Sequence, residues 1–335
     1  MAKWLNKIVC GDCIEILSGV SKPFADLIFA DPPFNIGYKY DKYNDKVKSK
    51  NYIAWTRDWM GACLKVLKPE GSFYIAIGDD YAANVKVIAD ELGLLMRNWI
   101  IWHYTFGQQM KTKFARSHTH IFYFVNDKSK FTFNGDNARI ISDRQKIYND
   151  KRANPAGKMP DDVWNEYPRI CGTFEERTAF PCQMPESLLA RVIRVSSNEE
   201  DWILDPFSGS GTTAIVAAKL NRSYTGIELS SEYTKQSRQR IVKFRDSAVE
   251  GEERKPWTEQ MDKELKWLYH ENKTPTDQLD EDDYLLTLFT EKFNLRMGNN
   301  GNKVSQKQLM KRLVRLRKSG KLGALRGEHI RLNKV

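Results

Sequence analysis

The chain reads as an α/β protein built on a mostly parallel sheet with crossover helices, and three observations carry that reading. Short strand-like apolar runs alternate with longer helical ones through roughly the first three quarters of the sequence. The run Ala25-Asp26-Leu27-Ile28-Phe29-Ala30 stops abruptly at Asp31-Pro32-Pro33-Phe34, because neither proline can donate to a ladder. Trp202-Ile203-Leu204-Asp205 leads through Pro206-Phe207-Ser208-Gly209-Ser210-Gly211 directly into a helical run from Thr212, which is strand, glycine turn and helix in order.

Taken along the chain, the periodicity predicts strands over residues 7–10, 27–30, 72–77, 98–104, 119–125, 202–204 and 224–227. Helices fall between them. One over 52–67 ends at the stop signal Lys68-Pro69-Glu70-Gly71, one over 81–92 ends at Gly93, and two more cover 185–195 and 211–220. Residues 128–177 break the rhythm: they are polar and basic, with Tyr148, Trp164 and Tyr167 interspersed. Such an insertion is either ordinary surface or a surface for DNA bases and phosphates.

After residue 248 a linker is expected over 249–258, then a small basic, mainly helical module over 259–335. In it an acidic helical stretch covers about 280–293. Ser305 can cap a helix with Leu309, Leu313 and Leu316 on one face. A hairpin over 320–332 would complete a winged-helix module, and a solvated helical extension is the alternative.

Charge is distributed unevenly. Residues 303–335 hold eleven Lys or Arg against the single acid Glu328, which equals the whole chain's excess of +10. A neutral body with a basic end points to a polyanion, most simply nucleic acid. An anionic membrane surface fits less well, since the tail has no Trp or Phe to anchor there. No run of about 18 apolar residues could span a bilayer, and the N-terminus lacks an apolar signal region, so a cytoplasmic protein is expected. Five cysteines, an odd number, argue against a disulfide framework. Cys10-Gly-Asp-Cys13 spells C-x-x-C, yet no second close pair completes a zinc site, so no metal is expected. His118 and His120 alternate on one strand face, where packing or DNA contact outweighs metal ligation.

Two motifs carry chemistry. Asp31-Pro-Pro-Phe34 places a carboxylate, carbonyls without local partners and an aromatic ring at a strand end, fit for a planar substrate with an amino group. Gly209-x-Gly211-x-x-Ala214 satisfies a dinucleotide fingerprint, with Glu228 ending the next strand at the distance of a ribose-binding acid. The helix start after Gly211 suits a pyrophosphate or the carboxylate of a bound amino acid, and these residues alone leave the two open.

With both motifs in view, the chain resembles the amino-methylating DNA methyltransferases of the β arrangement, over about residues 6–245. In that family an acidic-Pro-Pro-aromatic motif precedes the target-recognition region and a Phe-x-Gly-x-Gly motif comes last, the order found here as Asp31–Phe34, about 128–177 and Phe207–Gly211. The resemblance implies a permuted Rossmann-like methyltransferase sheet with helices on both faces, within a domain of residues 1–248. It implies S-adenosylmethionine, held by Asp12, Cys13, Phe180, Pro181, Asp205, Phe207, Ser208, Gly209, Ser210, Gly211, Thr212, Thr213, Glu228 and Leu229. Phe180-Pro-Cys-Gln-Met-Pro185 resembles a segment that is normally His-Pro-Thr-Gln-Lys-Pro, with Phe180, Cys182 and Met184 departing from it.

The family's catalytic residues would be Asp31, Pro32, Pro33 and Phe34: Asp31 and the Pro32 carbonyl accept hydrogens from a base amine, and Phe34 stacks on the flipped base. Asp-Pro-Pro resembles the N6-adenine members and Ser-Pro-Pro the N4-cytosine ones, so adenine is expected and cytosine is the nearer alternative. Double-stranded DNA is the implied partner, contacted by Lys111, Lys113, Arg116, Lys307, Lys311, Arg312, Arg315 and Lys318. The family leaves room for a homodimer and for a cognate restriction endonuclease. Competing readings from other classes are a non-catalytic DNA-binding protein and a nicotinamide-dependent enzyme.

Overall fold

A computed structural model describes residues 2–108, 110–148, 150–172, 174, 176–250, 257–297 and 303–325. Eight strands form one mixed sheet: β1 (Lys7–Cys10), β2 (Ala25–Ala30), β3 (Leu67–Ile77), β4 (Leu95–Gln108), β5 (Arg116–Val125), β6 (Val163–Trp164), β7 (Trp202–Asp205) and β8 (Ser223–Glu228). Their order is β1-β8-β7-β2-β3-β5-β4-β6. From β1 through β3 neighbouring strands are parallel, whereas β5 runs antiparallel to both β3 and β4.

The chain divides into two compact units, residues 1–134 with 162–252 and residues 135–161 with 253–335. In the first, β2 is buried on both faces beyond a bulge near its start. Ile28 and Ala30 join a core with Phe73, Ile75 and Ile77 of β3 and with residues of α1 (Cys13–Ser18), α2 (Ser49–Val66) and α3 (Asp79–Glu91). The intervening Tyr74 points the other way, to Ser196 Oγ at 2.8 Å, at the end of α6 (Glu186–Ser196). Helices therefore cover both faces, as period-two burial requires. Residues Tyr52, Thr56, Trp59, Met60, Cys63 and Val66 form the buried stripe of α2. The stop signal after it ends the helix at Val66, but the chain re-enters extended conformation at once, so β3 begins at Leu67 with a bulge opposite Ala25 and Leu27.

The second unit takes α4 (Gly135–Ala138) and α5 (Asp143–Lys146) from the central insertion, and α9 (Glu259–Asn272), α10 (Thr276–Glu281), α11 (Asp283–Met297) and α12 (Gln306–Lys318) from the C-terminal part. Its core gathers Ile141 with Leu265, Leu268, Phe289, Phe293, Leu309 and Leu313. Asn272 Oδ1 accepts the Ile141 N–H at 2.8 Å, and Lys292 Nζ donates to Ala156 O at 2.5 Å. Residues 135–161 thus belong structurally to the C-terminal helices. The aromatic residues of the insertion divide as well: Tyr148 is exposed, but Trp164 and Tyr167 are buried, 5.1 and 4.8 Å from the Arg191 guanidinium. Most of the expected linker, and the expected hairpin beyond residue 325, lie outside the described residues.

Two further helices complete the first unit, α7 (Thr212–Lys219) and α8 (Ser231–Glu250). Because β7 feeds β8 toward one edge and β2 feeds β3 toward the other, the strand order reverses between β2 and β7. Ligands of open α/β sheets sit at the carboxyl ends of strands at such a point.

Candidate active site

At that switch point lies a cavity of about 970 Å³, lined among others by Asp31, Pro32, Pro33 and Phe34 after β2, Asp12 and Cys13 after β1, Asp205 to Ser210 with Thr212 and Thr213 after β7, and Glu228 and Leu229 after β8. Phe180 and Pro181 form a further wall. Of the expected cofactor residues only Gly211 does not line it, and its role is conformational: at φ 74° it is the left-handed N-cap of α7.

The glycine turn is held tightly. Gly209 has φ 47°, and a Cβ there would come within 2.6 Å of the Phe180 ring. Phe180, one of the residues that departs from the family pattern, uses that gap to set the tip of its ring against the turn while meeting Tyr233 edge-on at 5.0 Å. Glu228 accepts the Gly209 N–H at 2.8 Å through Oε2 and the Ser230 N–H at 2.8 Å through Oε1. Burial raises its pKa despite those bonds. Asp205 accepts from the Phe207 N–H at 3.0 Å and from Thr213, yet burial pushes it up to about 7. Asp12 caps α1 through Ile14 N at 2.7 Å and Glu15 N at 3.2 Å. Cys13 is a buried thiol pushed up to about 12 by burial and by Asp12, while Cys10 is exposed. Among the described residues no group of three or more His, Cys, Asp or Glu is placed to hold a metal ion.

On the β2 side Asp31 sits half-buried, its pKa raised well above the carboxylate range by burial first and by Asp205 second. Tyr52 Oη donates to Pro33 O at 2.6 Å, so the turn is fastened through the second proline. Phe34 packs beside Gly78, where a Cβ would lie 3.2 Å from its ring. The following loop wraps around one buried carboxylate: Asp45 accepts the N–H groups of Asn35 at 2.6 Å, Ile36 at 3.2 Å and Tyr38 at 2.8 Å. Asn35, at φ 59°, is pinned further by donating to Tyr81 Oη at 2.7 Å and Val47 O at 3.0 Å. Ser230 Oγ donates to Asp41 at 2.6 Å, and the Tyr40 ring lies 6.4 Å from Phe180, so this loop reaches the side of the cavity walled by the ends of β7 and β8. None of Asp45, Asp41, Tyr40 or Tyr52 stands out in the sequence, since each acts through long-range contacts that no local spacing signals.

The expected DNA contacts are less uniform. Arg116 lines the cavity but is paired with Asp79 at 3.1 Å and Asp80 at 2.8 Å, while Lys111 and Lys113 are exposed. In α12, whose capping box joins Ser305 and Gln308, Arg312 turns inward onto Asp262 and is only partly exposed. Lys307, Lys311, Arg315 and Lys318 are exposed. His118 and His120 stack edge-on at 4.9 Å, and His120 Nδ1 accepts from Trp99 Nε1 at 2.8 Å.

Residues 25–239 match the family model described as DNA methylase, of the N6/N4 type. The chain belongs to this family of DNA methyltransferases. It is 36% identical over 237 residues to the type II methyltransferase M.HpaI of Haemophilus parainfluenzae, covering 70% of this chain and 74% of that one. It is likewise 36% identical over 244 residues to the DNA adenine methyltransferase YhdJ of Escherichia coli (strain K12), covering 70% and 82%. Among solved structures, the M1.HpyAVI–SAM complex superposes with a TM-score of 0.52 at 20% identity, over 70% of this chain and 98% of that one. The cytosine-N4-specific PvuII DNA methyltransferase gives 0.53 at 17% identity, over 74% and 95%. At these identities the two structures establish the shared fold of the methyltransferase unit.

Proposed function

We propose that this DNA methyltransferase transfers a methyl group from S-adenosylmethionine to the N6 amine of an adenine flipped out of double-stranded DNA. The observation that carries the reading is one cavity joining Asp31 and Phe34 at the end of β2 to the glycine turn and Glu228 at the ends of β7 and β8. The residues fit the cofactor. Glu228 has carboxylate lone pairs for ribose hydroxyls, the start of α7 offers N–H groups for a carboxylate, and the buried Ser208 Oγ has no hydrogen-bond partner among the described residues. When bound, the cofactor supplies an electrophilic methyl sulfonium.

The chain's own residues do the rest. The base amine is a poor nucleophile because its lone pair is delocalised into the ring. Ionised Asp31, with the Pro32 carbonyl, accepts hydrogen bonds from the amine and draws the lone pair back to nitrogen, and Asp31 takes the one proton released as the N–C bond forms, while Phe34 stacks on the base and fixes its plane. Adenine over cytosine is supported by the Asp-first motif and by the similarity to YhdJ, a named DNA adenine methyltransferase. Sequencing that reports modified bases, run on DNA from cells expressing the chain, should show N6-methyladenine at one short recognition sequence. N4-methylcytosine there would overturn the base assignment, and unmodified DNA the activity.

DNA binding falls to residues on both units. Lys307, Lys311, Arg315 and Lys318 recur at spacings of four, four and three, which places them on one face of α12. Replacing all four by alanine should flatten the plot of log affinity against log salt by about 3 to 4, near 0.9 for each phosphate no longer neutralised. The type II designation of M.HpaI and M.BglII supports a cognate restriction endonuclease as a further partner. A homodimer is a further proposal, which light scattering would measure. A cytoplasmic, nucleoid-associated location follows from a DNA substrate. Among the described residues no helix is long and apolar enough to cross a membrane.

A further inference from the structure

The glycine turn and the segment carrying Phe180 come from separate parts of the chain, yet both wall the cofactor side of the cavity. One guanidinium spans them. Arg240, on α8, donates from Nη1 to Ser210 O at 3.1 Å and to Thr212 Oγ1 at 2.9 Å, and from Nη2 to Glu186 Oε1 at 2.8 Å. Thr212 Oγ1 is in turn 2.7 Å from Ser210 Oγ, so the guanidinium holds both sides of the left-handed Gly211.

The Glu186 side is equally well tied. Glu186 is buried at the first position of α6, Lys219 Nζ reaches its Oε2 at 2.5 Å, and its N–H donates to Glu176 Oε2 at 2.8 Å. Gln183 closes the stretch by donating to Glu176 O at 2.7 Å and accepting the Thr178 N–H at 2.8 Å. Phe180 stands inside this laced segment and packs on Gly209. Arg240, Glu186 and Glu176 themselves are not among the residues lining the cavity.

We propose that Arg240 is a positioning residue for the methyl donor: by bridging Ser210 and Thr212 to Glu186, it fixes the spacing between the glycine turn and the Phe180 segment and so sets cofactor affinity without touching the cofactor. The inference rests on the assignment of S-adenosylmethionine to this cavity. Charged hydrogen bonds are the strong ones in such a bridge, and a planar fork makes several at once where an ammonium makes fewer.

The test is calorimetry of S-adenosylmethionine binding to the full-length wild-type, Arg240→Gln and Arg240→Lys proteins, with steady-state methylation kinetics beside it. Wild-type protein must bind first; if it does not, the cofactor assignment fails and Arg240 is not at issue. Given wild-type binding, Arg240→Gln should raise Kd and the cofactor KM about tenfold or more, with kcat at saturating cofactor within about threefold, and Arg240→Lys should fall between the two. A bridge that merely holds the fold would lower the thermal midpoint and leave Kd of the folded protein unchanged. Kd within about twofold of wild type in Arg240→Gln overturns the proposal. So does a loss confined to kcat. Should the glutamine variant fail to fold, the lysine variant decides: weakened binding supports the bridge, and wild-type affinity overturns it.

Discussion

The ends of β2 and β7 lie side by side in the sheet and wall the same cavity, but they are built in opposite ways. The β7 end is rigid by backbone conformation: two left-handed glycines, a Phe180 ring in the gap left by one of them and a helix starting at once. The β2 end is rigid by side-chain capture, with a loop of ordinary residues folded around the Asp45 carboxylate and fastened by Tyr52 and Tyr81. A glycine turn can bring backbone N–H groups close to a ligand that changes little from one turnover to the next. A captured loop can hold a carboxylate and an aromatic ring at fixed places while leaving open the side from which a base enters. Damage to the first should therefore fall on cofactor affinity, and damage to the second on the chemical step.

Asp31→Ala should separate the two ends most widely. Loss of the hydrogen acceptor should lower methyl transfer by about a thousandfold or more, while S-adenosylmethionine still binds within a few-fold of wild type. A radiolabelled-methyl assay beside calorimetry checks both halves. Activity retained in that assay would remove Asp31 from the mechanism.

Gly209→Ala attacks the other end. The new Cβ meets the Phe180 ring at 2.6 Å in a backbone conformation that disfavours side chains, so cofactor Kd should rise about a hundredfold. The variant Gly209→Ala with Phe180→Leu tests the cause: smaller bulk opposite the Cβ should recover part of the affinity. No recovery would mean that backbone strain, not the aromatic contact, sets the loss.

Asp45→Asn is the subtler probe of the β2 end. An amide can accept from the loop N–H groups at one oxygen only, so Asn35, Ile36 and Tyr38 lose part of their anchor. A decrease in kcat of about tenfold is expected with cofactor Kd nearly unchanged. An effect on Kd instead would show that the loop serves the cofactor, through Asp41 and Ser230.

The same contrast explains what could be read beforehand. Both motifs are contiguous, so Asp31–Phe34 and Phe207–Gly211 are legible as strand ends, and the bounds of β1 coincide with the expected 7–10. Ser305 is legible as a cap because its capping partner Gln308 is only three residues away. Asp45 and Arg240 are not, because their partners are set by the tertiary fold: Arg240 and Glu186 stand 54 positions apart. Residues 135–161 are a further case, since their polar composition marks an insertion but says nothing of the helices they pack with. Arg312 shows the limit of reading charge as a ligand contact, being spent on Asp262 inside its own unit.

The pH response gives the smallest but most diagnostic effect. In the proposed mechanism Asp31 must be ionised to accept hydrogen bonds from the amine, and burial with Asp205 raises its pKa. Activity at saturating cofactor should therefore fall, as pH drops, with a midpoint above the usual carboxylate range near 4. Asp205 rises to about 7 in the fold, so the cost of ionising it is absent below about pH 4 and complete above about 7. Asp205→Asn should then raise the thermal midpoint at pH 8 and leave it unchanged near pH 4. It should also move the acid limb of kcat downward, because the neighbouring charge that helps hold Asp31 protonated is gone. Glu228→Gln is the comparison: Glu228, at the end of β8, also helps raise Asp205, so it should alter cofactor Kd and shift that limb less than Asp205→Asn does. Asp205 already couples the ends of β2 and β7 electrostatically; if Glu228→Gln moved the limb as far as Asp205→Asn does, that coupling would extend to the end of β8 as well.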